Sequence, residues 1–137
     1  MSSNALRQAV YSLLQSSPEL AGLGYNGDTL LPAFTPDAPN ADRFCVLRWG
    51  ATALGIGPAN SVTFTAWFYN REPDFSPIMD AIAATRQLIP TLVSQRFSDG
   101  SGAVLGATWA GDTDDAYDDG YRAYVRNTAF TLTASGT

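Results

Sequence analysis

The sequence predicts an α+β fold: an antiparallel-rich mixed sheet of about four strands with two helices packed on one face. Three observations predict it. The stretch "SVTFTAWFYNR" (61–71) alternates strictly, with Val62, Phe64, Ala66 and Phe68 on one face and Thr63, Thr65, Trp67 and Tyr69 on the other. Two segments instead repeat their apolar residues at helical spacing. The elements then run helix, strand, strand, helix, strand, strand, an order that favours neighbouring antiparallel strands.

The first helix spans 3–16, "SNALRQAVYSLLQS", with Leu6, Val10, Leu13 and Leu14 on its inner face. Ser3 or Asn4 is placed to cap it, and "SSP" at 16–18 ends it and opens a short second turn. The proline-rich stretch Gly24–Asp42 has no sustained period and carries Leu30, Leu31 and Phe34. Those three either staple the loop to its own core or form an arm that docks on a neighbouring copy. "RFCVLRWG" (43–50) reads as a strand, joined to 61–71 by the glycine-rich "ATALGIGPAN". In "EPDFSPIMDAIAATRQLIP" (72–90), Ser76 caps a helix whose first turn holds Pro77 and whose inner stripe is Ile78, Ile82, Thr85 and Ile89. Asp74 suits helix initiation, and Pro90 closes the element. "AVLGATWAG" and "YRAYVRNTAFTLTA" are the last two strands, and the acidic "GDTDDAYDDG" (111–120) is read as the turn between them.

Composition sets limits on the chemistry. The chain has 137 residues, enough for one domain (1–137) with a core and too few for two. It is 45% hydrophobic and 15% charged, the balance of a folded globule. It contains no histidine, and all eight basic residues are arginine, so histidine-based nucleophilic triads and lysine-dependent phosphate or Schiff-base chemistry are excluded. Cys45 is alone, which rules out an internal disulfide and favours a reducing compartment. A net charge of −5 opposes tight binding to a phosphate backbone. The opening "MSSNALRQAV" lacks a basic-then-apolar leader, and no apolar run reaches membrane-spanning length. No catalytic, cofactor or metal residues are assigned.

The acidic segment is the strongest candidate feature: Asp112, Asp114, Asp115, Asp118 and Asp119 fall within ten residues. No register satisfies an EF-hand loop; starting at Asp112 puts Ala116 at position 5 and Tyr117 at position 6. A looser calcium-binding interaction module stays open as an alternative. "GIGPAN" (55–60) precedes a strand rather than a helix, so it is not a dinucleotide-binding turn. Arg122 and Arg126, read as four apart on one strand face, either neutralise the acidic turn within the subunit or pair with the turn of the next copy. Trp49, Trp67 and Trp109 fall on strands, as core residues or as interface residues.

The helix "LRQAVYSLLQSSPELAGLG", the strand "RFCVLRWG", the aromatic strand "VTFTAWFYN", the helix "PIMDAIAATRQLI" and the late pair "GATWAG…YRAYVRNTAFTLTA" together resemble the tail terminator, or tail-completion, proteins of long-tailed bacteriophages. The resemblance is one of order, length and texture over nearly the whole chain. It implies a non-enzymatic virion protein, located in the tail and, during assembly, in the host cytoplasm. Its partners would be copies of itself in a ring (typically hexameric), the tail tube protein and the head–tail connector protein. DNA would pass through without specific binding. Another ring component of the connector or tube is the nearest alternative. A cyclic ring needs two different complementary patches; the candidates are the apolar loop around Leu30, Leu31 and Phe34, and the Asp/Arg-rich hairpin with Arg122 and Arg126. The five aspartates are expected in the lumen or at its mouth, where their charge repels phosphate, with an outward-facing solubility turn as the alternative.

Overall fold

The computed structural model describes residues 2–33, 39–54 and 59–135. Phe34 and the centre of the glycine-rich connection therefore lie outside the described residues, as do the side chains of Ser3 and Asn4. Helix α1 runs Ser2–Gln15 and buries Leu6, Val10 and Leu14, one residue per turn. Helix α2, Pro18–Gly22, starts where the Ser17 hydroxyl accepts the Leu20 N–H at 3.3 Å and Pro18 supplies the preset first turn.

Strand β1 is only Leu30–Leu31, and it pairs in parallel with Cys45 and Val46 of β2, Arg43–Leu54. Strand β3 is Ala59–Asn70, antiparallel to β2, with a bulge between Trp49 and Thr52. The two strands are longer than the sequence suggests, and residues 51–54 and 59–60 of the expected connection belong to them. Helix α3 is Ser76–Leu88, followed by a 3-10 turn, Ile89–Leu92. Its start differs from expectation: the Ser76 side chain does not cap it. Instead the Asp74 carboxylate accepts the Ser76 N–H at 2.9 Å, which holds the Asp74 carboxyl below its usual range. The expected inner stripe of Ile78, Ile82, Thr85 and Ile89 is buried.

Strands β4 (Val104–Asp112), β5 (Ala116–Asp118) and β6 (Ala123–Ser135) complete the sheet. The order is β1-β2-β3-β6-β4, with β5 also paired to β6. The mixed α+β architecture is as predicted, with β1 and β5 added to the main strands. All three helices cover one face, over Val62, Phe64, Ala66 and Phe68 of β3 and Phe130, Leu132 and Ala134 of β6. Cross-strand neighbours share a face, so the alternation read from β3 propagates through its partners.

The opposite face holds a second, smaller core at one end. There Phe44 stacks on Tyr69 at 4.7 Å, and Tyr121 meets both rings edge-on. Val46, Ala123 and Val125 fill the gaps, and Trp67 and Leu31 pack against them. Arg71 lies 5.3 Å over the Phe44 ring. Among the described residues the rest of this face is rich in hydroxyls, with Thr63 exposed and Thr65, Thr131 and Thr133 half-buried. Among the described residues no helix is long and apolar enough to cross a membrane.

Burial suppresses the ionisation of three core groups. It pushes the Cys45 thiol, the Tyr25 phenol and the Tyr69 phenol well above their ordinary values, and the Asp118 carboxylate adds to the shift at Tyr69. A group whose proton is held more tightly in the folded chain stabilises it fully below the unfolded value and loses that contribution as pH rises. The denaturation midpoint should therefore fall progressively above pH 9.0, the ordinary thiol value, and further above the phenol value of 10.0. Chemical denaturation followed by far-UV circular dichroism across that range checks it; Tyr69→Phe should remove part of the slope.

Candidate functional site

The acidic segment is not a single turn. Strands β4 and β5 lie end to end along the same side of β6, forming one interrupted edge strand. Asp112 pairs with Thr128 at the end of β4, while Asp114 and Asp115 fall in the break before β5. The hairpin loop itself is the four residues enclosed by the Asp118–Ala123 pair. Arg122 belongs to this loop, not to a strand. Its φ of +53° is left-handed, so it does not share the strand face of Arg126.

Three of the five carboxylates are committed within the subunit. Asp112 accepts the Trp109 indole N–H at 3.1 Å. Asp115 lies 3.5 Å from the Arg126 guanidinium, the one ion pair among the described residues. With Asp115 60% exposed, that pair adds little stability. Asp118 accepts the Tyr121 N–H at 2.9 Å and the Tyr69 hydroxyl at 3.4 Å, closing the second core. Asp114 and Asp119 are exposed. Among the described residues no group of three or more acids, cysteines or histidines is gathered closely enough to hold a metal ion. Glu72 is exposed as well.

The residues expected as an interface divide differently. Leu30 is buried in the main core and Leu31 is half-buried against the second, so both staple the chain to itself. Arg126 pairs with its own Asp115. Among these, exposed Arg122 is left on the surface.

The tryptophans separate by position. Trp49 packs on Phe64, and Arg7 lies over its ring at 5.5 Å. Trp67 packs against the second core. Trp109, at 45% exposure, stands on the free edge with Arg86 of α3 at 3.9 Å over its ring. Its N–H also donates to the Thr128 hydroxyl at 3.2 Å, so the polar atom is satisfied and the exposed remainder is apolar. Met79 and Tyr117 are also exposed, Tyr117 resting edge-on against Tyr124. At the opposite edge, Arg7, Gln8 and Tyr11 of α1, Pro32, and Leu47 and Trp49 of β2 line a groove of about 440 Å³. Sequence reasoning missed both features. Trp109 carried a signal, being a strand aromatic, but periodicity alone does not show where the covering helix stops.

No protein-family profile matches the sequence, and no curated protein does. Among solved structures, the chain is similar to a protein chain in the "Virion of native gene transfer agent (GTA) particle". The TM-score is 0.73 with 20% sequence identity, covering 98% of this chain and 97% of that one. At that identity the likeness establishes a shared fold.

If Asp118 closes the second core, Asp118→Ala should cost about 1–3 kcal/mol by stranding two donors. Asp119→Ala should stay within about 0.5 kcal/mol of the parent. Urea denaturation of the two variants distinguishes a structural aspartate from a solvated one.

Proposed function

We propose that this chain is a virion structural protein: a tail terminator that forms a ring on the tail tube, ends its elongation and offers a surface to the head connector. The observation that carries the reading is the end-to-end match to a chain of a virion particle, on a fold the sequence independently likened to tail terminators. In this reading the chain catalyses no reaction and works by shape and self-association, within the virion and, before that, in the host cytoplasm. A single small subunit with two open sheet edges suits a cyclic, head-to-tail assembly, which needs two different surfaces on each copy.

The acidity retains a role in this reading. A net charge of −5 per subunit, repeated around a ring, disfavours adhesion to a polyanion passing through it. With Asp112, Asp115 and Asp118 committed to internal bonds, the freely presented part of the acidic segment is Asp114 and Asp119.

The test is tube assembly. Added to polymerising tail tube protein, the chain should shorten the tubes and leave ring-shaped density of the tube's diameter at their ends in electron micrographs. Tubes of unchanged length with bare ends would refute the reading.

A further inference from the structure

The ladders place the two edge features at the same height. Leu47 is opposite Ala66, Ala66 opposite Thr128, and Thr128 opposite Asp112. The neighbouring row runs Trp49, Phe64, Phe130, Trp109. The groove beside Leu47 and Trp49 therefore lies level with Trp109 and Asp112, across the whole width of the sheet. Both features belong to the face that carries the helices. The groove is bounded by α1, and Trp109 is held by Arg86 of α3.

We infer that Trp109 of one copy seats in the α1–β2 groove of the next copy, with Asp114, in the break between β4 and β5, beside that copy's Arg7. The inference rests on the ring reading and names the surfaces that build the ring. Four observations carry it. Side-by-side copies in one orientation, as a ring requires, bring these features together without a vertical shift. The charges are complementary: the groove's charged lining residue is Arg7, and the facing edge presents exposed Asp112 and Asp114, two carboxylates against the one guanidinium of Arg86 over the indole. The indole is already fixed by Arg86, Asp112 and Thr128, so little conformational freedom is lost on docking. Tryptophan and arginine at the centre of a patch are the residues that dominate interface energies.

The contact is one of side chains rather than a continued sheet. Strand β4 carries register shifts between Val104 and Gly106 and between Trp109 and Gly111, which interrupt the regular edge a neighbouring strand would need. The same bulges leave Leu105 and Ala110 exposed.

Charge exchange between copies tests this. Arg7→Glu and Asp114→Arg, both at exposed positions, should each weaken self-association of the full chain at least about tenfold in sedimentation equilibrium. Mixed together they should restore it, because each groove then meets a knob of opposite charge. Trp109→Ala should abolish association and find no rescue in either mixture. Circular dichroism of each variant verifies the fold. Variants that associate like the parent, a mixture without rescue, or a parent that stays monomeric to millimolar concentration would each overturn the contact. The tube assay scores the ring reading separately: capped tubes with failed rescue would reject these surfaces and keep the ring.

Discussion

The structure depends on the pairing of β3 with β6. Ala59 to Asn70 face Ser135 to Tyr124 in an unbroken antiparallel register. A slip of one residue would turn either Phe64 and Phe68 or Phe130 and Leu132 away from the helices, so the register is fixed by the burial it creates. That same ladder transmits position across the molecule. It sets β2 and β4 at opposite edges and determines that Trp49 and Trp109 occupy one row. The helices bury one face of this pair, and the aromatic cluster around Tyr69 pins one end of the other. The edges are left as the surfaces free to meet something else.

Much of this was legible in the sequence. The alternation of Val62, Phe64, Ala66 and Phe68 against Thr63, Thr65, Trp67 and Tyr69 needs no tertiary information, because a half-buried strand writes its faces at period two. The α3 stripe is equally local. The acidic segment was not legible. Aspartate is rare in strands, so five of them in ten residues read as a turn. The partners that place them, Trp109, Arg126, Tyr69 and the β6 backbone, are supplied by the fold. Leu30 was hidden for another reason: a strand of two residues has no period to detect. Its burial comes from parallel pairing with Cys45, across a long separation in sequence.

The division between a pinned centre and open edges gives the functional reading its economy. Here the carboxylates are spread along an edge and largely spent on holding the chain's own geometry. The groove beside Leu47 and Trp49 lies between a helix and an edge strand, open at the side of the sheet. The chain shares its fold with a chain of a virion particle, and the proposed ring would use these edges as its contacts.

Hydrogen–deuterium exchange on the assembled ring and the dissociated subunit tests that claim most directly. The account predicts new protection confined to two separate stretches, residues 7–11 with 47–49 and residues 105–115, while β3 and β6 exchange equally slowly in both forms. Protection on one edge only, or on the threonine face with both edges unchanged, would contradict it.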